Sequence, residues 1–399
     1  MSAAEKQPLM SPFHRGITVP KAATWASAIT SRRDASRRIP QTIAHRGFKA
    51  SFPENSMAAF RAAVEVGAHA LETDVHLSKD GVVVLSHDPS LKRCFGVDLL
   101  IKDCTWSYLS SLRTTKQPHE PLPRLVDLLE YLVSGPETEK IWVLLDIKID
   151  DKPEHLLHAI ACALTEVSSA TPWDERIILG CWNATFMKAA LSFLPGYPLA
   201  HISNSLFYSR HFFPIPNLAF NMFQGLLVGP FGKWFLRDAK RANRPVFAWT
   251  VNAEKWMEWC IRKNVNAAAS HALLPPSTSP STSSLSSLSD DKSPAPSPPT
   301  VFIDGVITDN PQLFLQVCSR VEDDLDGITS ASASTSTTAV SRKHSQNLGI
   351  SMLSNLKAQL GTTCGVLFAN VVVTSFFWYR RFQGRMDKFD VSFFRNFQG

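Results

Sequence analysis

Residues 42–88 read TIAHRGFKASFPENSMAAFRAAVEVGAHALETDVHLSKDGVVVLSHD, and three short apolar runs inside them each end in acidic, basic or metal-binding side chains. TIAHRG (42–47) has the composition of a buried strand and ends in His45 and Arg46. HALETDV (69–75) is a second such run, with Glu72 and Asp74 two residues apart and therefore on one side of a strand. VVVLSHD (82–88) follows Asp80-Gly81, a turn dipeptide that signals a hairpin, and ends in His87 and Asp88. Between the first two runs, Ser56–Val66 has the spacing of an amphipathic helix.

The same alternation continues downstream. IWVLLDIKI (141–149), RIILGCWN (176–183), YPLAHIS (197–203), a weaker run at 218–222, PVFAWTVN (245–252) and IDGVITDN (303–310) read as strands, with helical spacing between them, as in Leu125–Val133. Repeated strand–helix alternation calls for a parallel sheet covered by helices, and about eight such units point to a (β/α)8 TIM barrel. In that fold the active site forms where the strands end. The polar strand ends then become the candidate site, with Asp146 and Lys148 of LLDIK also on one side of their strand.

HRG occurs twice, at 14–16 and at 45–47. No strand pattern leads into His14, so the first copy is expected to be incidental, part of a basic leader over residues 1–40 expected to lack structure. The barrel is expected over 41–320, interrupted at 273–300 by a Ser/Pro-rich insert too poor in apolar residues to order itself. Residues 326–348 read as a flexible linker. Residues 360–379 form an apolar stretch of bilayer-spanning length ending in Phe376, Phe377, Trp378 and Tyr379, and a basic tail, 380–399, follows. This stretch is expected to be a transmembrane anchor helix, placing the protein on an intracellular membrane. The chain has 44% hydrophobic residues, enough for a large core, and a net charge of only +6 with no nucleic-acid-binding motif. Seven scattered cysteines with no CxxC pair favour a reducing compartment. No signal-peptide run is present at the N-terminus, and no protein partner is identifiable.

The ordered motifs HRG, PEN, E-x-D, DG and HD between residues 45 and 88, followed by LLDIK, WTVN and GVITDNP, resemble the glycerophosphodiester phosphodiesterase family over about residues 41–315. Within it the chain looks most like the fungal phosphatidylglycerol-specific phospholipase C branch. The resemblance implies a metal-dependent phosphodiesterase. Glu72, Asp74 and Asp146 would hold one divalent cation, Mg²⁺ or Ca²⁺, although the family more often carries Glu at the position of Asp146. His45 and His87 would share the acid and base roles. Arg46 and Lys148 would contact the phosphate. Trp249, at a strand end, reads either as an aromatic rim against the glycerol or lipid portion or as a packed side chain; Glu54 of PEN reads equally as site support or as the entry to the first helix, and Asn252 as support. Asp309 reads as structural, and no family motif claims His69 or His76. The substrate would be a glycerophospholipid or glycerophosphodiester: phosphatidylglycerol at a membrane surface, or a soluble diester such as glycerophosphocholine. A catalytically inactive phospholipid-binding adaptor is the competing reading from another class.

Overall fold

In this computed structural model the structure describes residues 18–272 and 301–327. Eight parallel strands pair in sequence order: β1 (Gln41–His45), β2 (Ala70–Leu77), β3 (Trp142–Ile147), β4 (Ile177–Cys181), β5 (Leu199–Ser203), β6 (Ala219–Phe223), β7 (Val246–Trp249) and β8 (Gly305–Thr308). β8 pairs back onto β1, with Ile307 opposite Ile43, and closes the expected barrel. Outside it run α1 (Met57–Glu65), α2 (Leu125–Leu132), α3 (Pro153–Glu166), α4 (Ala184–Phe193), α5 (Leu206–Arg210), α6 (Gly229–Arg241), α7 (Glu254–Ala272) and α8 (Pro311–Leu325). Val83–Leu85 pairs antiparallel with the end of β2, as the Asp80-Gly81 turn implies, and forms a hairpin arm rather than a barrel strand.

The period of two along each strand sorts the core. Ile43, Ala70, Leu144, Ile178, Phe247 and Ile307 point into the barrel and form one buried cluster. Their neighbours Ala44, Leu71, Val143, Leu145, Leu179 and Val246 point out into the cluster shared with the helices. Followed towards the C-terminal ends, the inward series runs from Ile43 to His45, from Ala70 to Glu72 and Asp74, and from Leu144 to Asp146. The register that buries the core therefore delivers the polar groups to one end of the barrel.

The unstructured leader expected over 1–40 does not hold for residues 18–40. Ile29–Thr30 pairs antiparallel with Arg38–Ile39, and Ala23 and Ala26 are buried at the N-terminal end of the barrel. The Trp25 ring meets Trp142 edge-on at 5.2 Å, a contact worth about 1 kcal/mol. Gln41 Nε2 donates to the carbonyls of Trp25 and Ser27, each at 2.7 Å, while its Oε1 accepts from Trp142 Nε1 at 2.8 Å. Arg33 and Arg37 pair with Asp323 and Asp326 beside α8. The basic residues dominate this segment in the sequence, but its small and aromatic residues plug the barrel floor. His14 and the rest of 1–17, the Ser/Pro tract 273–300, the linker beyond residue 327, the apolar stretch 360–379 and the tail 380–399 lie outside the described residues. Among the described residues, no helix is long and apolar enough to cross a membrane.

Candidate active site

The turn after β1 explains why HRG has this composition. Arg46 and Gly47 both adopt left-handed backbone, at φ 56° and 78°. A Cβ on Gly47 would stand 2.7 Å from the backbone and Cβ of Ala59 in α1. Glycine alone lets the strand end tuck against the helix. The Arg46 amide donates to the carbonyl of Glu72 at 2.8 Å and to its Oε2 at 3.1 Å. α1 starts just after PEN: Ser56 is its N-cap and accepts from the Ala59 amide at 3.1 Å. Glu54 therefore lies outside the first helical turn. Its carboxylate meets Arg46 at 2.9 Å and takes two bonds from Arg93 at 2.8 Å. Burial opposes its ionisation, but Arg93 and Arg46 prevail and hold it at about 2.

Glu72, Asp74 and Asp146 converge, with ligand atoms all within 4.8 Å of one another. Asp74 is only 1% exposed. Asn55 Nδ2 donates to its Oδ2 at 2.9 Å and is itself fixed by Thr73. Lys148 Nζ sits 2.7 Å from Asp74 Oδ1 and 2.6 Å from Asp146 Oδ2, while Arg46 Nε lies 3.1 Å from Asp74 Oδ2. Burial acts to lower the Lys148 pKa, but Asp146 and Asp74 outweigh it and keep the ammonium charged. Burial likewise works against the Asp74 carboxylate, and Lys148 and Arg46 overcome it, holding Asp74 well below the usual range. Glu72 goes the other way. Burial, with Asp74 and Asp146 adding to it, raises Glu72 well above the usual carboxylate range.

Three carboxylates thus face two cations, and Glu72 is the one whose ionisation lacks a compensating charge. The donors are hard oxygens, each with a lone pair to spare, so the set fits one Mg²⁺- or Ca²⁺-type ion. Its double charge, with that of a bound phosphodiester anion, would bring the carboxylates, Arg46 and Lys148 to neutrality.

His45 Nδ1 lies 2.5 Å from Asp309 Oδ1, and its Nε2 is 3.9 Å from Glu72. Asp309 therefore holds the ring with its proton on Nδ1 and leaves Nε2 for the cleft. Asn252 Nδ2 in turn donates to Asp309 Oδ2 at 3.0 Å. Asp309, read from the sequence as structural, is in contact with His45. It meets His45 because β8 neighbours β1, so the residue after Thr308 lies beside the residue ending β1. That closure was the available signal. His87 Nδ1 meets Asp88 at 2.7 Å, and Asp88 binds Arg93 at 2.6 Å. Arg93, which no motif singled out, thus ties the His87 arm to Glu54 and Arg46. His76 is buried beneath, with Nε2 3.2 Å from the His87 carbonyl and Nδ1 3.1 Å from Asp151. Burial lowers the pKa of His45 and of His87; for His87 the Lys148 charge adds to the effect.

His45, Arg46, Glu72, His87, Asp146 and Lys148 line one cleft of about 420 Å³, including its part open to solvent, with Trp182, Ile202, Asn221 and Trp249 opposite them. Trp182 Nε1 donates to Asp146 Oδ1 at 2.7 Å, and its ring meets Trp249 edge-on at 5.8 Å. Trp249 also packs on Phe223 at 5.5 Å and donates to the Asn221 carbonyl at 3.0 Å. Trp182 and Asn221 were not singled out in the sequence.

Fold and cleft together define a (β/α)8 barrel with two histidines and a carboxylate cluster that could hold a cation at its C-terminal face. The chain belongs to the glycerophosphoryl diester phosphodiesterase family, whose model matches residues 45–273; this family hydrolyses phosphoric diesters. It is 29% identical over 263 residues to the glycerophosphodiester phosphodiesterase domain-containing protein 4 of Macaca fascicularis, a match covering 56% of this chain and 39% of that one. It is 27% identical over 236 residues to a glycerophosphodiester phosphodiesterase of Caldanaerobacter subterraneus subsp. tengcongensis, covering 56% and 90%. The chain thus spans well under half of the macaque relative and most of the bacterial one. In fold it is similar to an Oleispira antarctica phosphodiesterase solved with the product sn-glycerol-3-phosphate, at 20% identity and a TM-score of 0.52 over 70% of this chain and 97% of that one.

Proposed function

We propose that the protein is a divalent-cation-dependent hydrolase of glycerol phosphodiesters that bear a free hydroxyl next to the phosphate. One observation carries this reading: two cleft histidines, each held by a carboxylate at Nδ1, border a buried carboxylate cluster beside Arg46 and Lys148. A cation held by Glu72, Asp74 and Asp146 would supply charge neutralisation for the phosphoryl oxygens. Arg46 binds and orients the phosphate, and Lys148 keeps the carboxylates of Asp74 and Asp146 ionised while adding a positive contact. One of His45 and His87 takes the proton of the glycerol 2-hydroxyl as its oxygen bonds to phosphorus. The bond from phosphorus to the departing alcohol breaks, and the other histidine gives that oxygen its proton. Water then opens the cyclic phosphate to glycerol phosphate, with the two histidines exchanging roles.

Phosphatidylglycerol meets the requirement through its head group and would give diacylglycerol and glycerol phosphate. The apolar stretch 360–379 and the resemblance to the fungal branch support it as the finer assignment, with the enzyme anchored at an intracellular membrane. The test is turnover of phosphatidylglycerol and glycerophosphocholine side by side, with Mg²⁺ or Ca²⁺. Cleavage of phosphatidylglycerol is expected. Cleavage of glycerophosphocholine alone would overturn the lipid assignment and leave the phosphodiesterase reading standing. Cleavage of neither would overturn both.

A further inference from the structure

Three exposed aromatic side chains lie on two neighbouring helices, Phe207 on α5 and Phe231 and Trp234 on α6, and are 71%, 54% and 48% exposed. Their helices come from adjacent strands. α5 starts three residues after Ser203 ends β5, and α6 follows the short helix Gln224–Leu227 that continues β6. Both therefore start at the catalytic face. Ile202 of β5 lines the cleft, and Phe223 of β6 packs on the cleft residue Trp249.

An ion pair fixes the two helices together, Arg210 to Asp238 at 2.8 Å. Phe207 precedes Arg210 by three residues and Trp234 precedes Asp238 by four, so each lies one turn nearer the catalytic end on the side bearing that pair. The Phe231 and Trp234 rings stand edge-on at 5.5 Å. α6 buries Gly232, Phe235, Leu236 and Ala239 against the barrel. Its opposite side carries the two aromatics with exposed Lys233, Arg237 and Arg241. The one acidic residue of α6, Asp238, is already engaged by Arg210 and Arg241. The surface thus presents aromatic rings amid excess positive charge, complementary to an apolar layer beneath an anionic one.

We propose that this α5–α6 rim docks on an anionic lipid surface, seating the rings at head-group depth and bringing the cleft over the bilayer. The proposal deepens the lipid reading above and rests on it. Docking here is separate from any tether at 360–379: it sets the orientation of the barrel, so that a head group enters along the aromatic side of the cleft.

The test uses the full chain. Hydrogen–deuterium exchange is followed over residues 206–212 and 229–238 with phosphatidylserine vesicles, with phosphatidylcholine vesicles and without lipid. Phosphatidylserine carries the negative charge but no glycerol head group, so this arm reads docking whether or not phosphatidylglycerol is a substrate. Slower exchange in both segments with phosphatidylserine alone is the expected result. Equal slowing on phosphatidylcholine would overturn the electrostatic part, and no slowing would overturn the site. Protection that rises with protein concentration without lipid would show that a second copy covers the rim. Full protection without lipid at all concentrations would show that this chain covers its own rim. Either result overturns the proposal. In the second arm, the triple variant Phe207→Ser, Phe231→Ser, Trp234→Ser is expected to lose at least ~10-fold in turnover of vesicle phosphatidylglycerol while matching wild type on detergent-dispersed lipid. Equal loss on both would overturn the docking role. If phosphatidylglycerol is not cleaved in any form but the exchange result holds, the substrate assignment fails and the docking surface stands.

Discussion

Strands β1, β2 and β3 bring His45, Glu72, Asp146 and Lys148 to the cleft, backed by Asp309 after β8 and Asp74 of β2, whereas β4 to β7 bring Trp182, Ile202, Asn221 and Trp249. The same inward register builds both walls, so the contrast lies in the side chains alone. On the charged wall every group holds another: Lys148 spans Asp74 and Asp146, Arg46 reaches Asp74 and Glu54, and Asp309 fixes His45. Taking one partner away leaves a buried charge unpaired, which costs about 3–5 kcal/mol. The aromatic wall is held by ring contacts and single hydrogen bonds, each worth about 1 kcal/mol. Losses on the first wall should therefore strike the chemistry, and losses on the second should strike binding.

Asp74→Asn should have the largest effect. It keeps the shape and the bond from Asn55 only in part, and it removes the charge that faces Lys148 and Arg46. Activity should be lost to the detection limit, and elemental analysis should find the bound cation gone. A variant that keeps both metal and turnover would move the cation site off this wall.

His45→Ala and His87→Ala come next, each lowering kcat by at least ~10²-fold, the scale of a lost general acid or base. Circular dichroism should report an unchanged fold, since neither ring belongs to the apolar core. His14→Ala, in the other HRG, should leave kcat unchanged. If His14→Ala matched His45→Ala, the choice between the two copies would be wrong.

The two walls also differ in how much of them the sequence discloses. Acids and histidines at the ends of apolar strands are too costly to bury without a use, so His45, Glu72, Asp74, Asp146 and Lys148 declare themselves in a linear reading. Trp182 and Asn221 sit at equivalent strand ends, but a tryptophan or asparagine there is as compatible with packing as with ligand contact. The barrel was legible from its alternation, down to the weak strand at Ala219–Phe223. The floor plug was not, because Ala23, Trp25 and Ala26 have no periodic pattern and gain their meaning only from Trp142 and Gln41 across the chain. Asp309 reads as structural and Arg93 goes unremarked for the same reason: each meets a partner far off in sequence or on another loop.

Asp309→Asn tests whether the charged wall extends to residues that never touch the substrate. The amide can still receive the His45 proton, but it no longer supplies the charge that favours that tautomer and orientation. We expect kcat to fall about 10-fold with KM held, the pattern of an interaction made only in the transition state. A change in KM alone would return Asp309 to a purely structural role.

Trp249→Leu should show the smallest effect and is the sharpest probe of the other wall. The indole packs between Trp182 and Phe223 and donates to the Asn221 carbonyl. Leucine keeps an apolar surface in the cleft but gives up the ring contacts and the donor. The lost aromatic contact is worth about 0.5–1.5 kcal/mol, or roughly 2- to 12-fold in binding. It acts on the bound substrate before and during reaction alike, so KM should rise by that factor while kcat stays within about twofold. Thermal unfolding measured alongside separates this from a loosened barrel, because a destabilised cleft would lower the midpoint and kcat together. If kcat instead dropped ~10²-fold at unchanged KM, with the midpoint preserved, Trp249 would be sustaining Asp146 through Trp182. The aromatic wall would then belong to the chemistry as much as the charged one does.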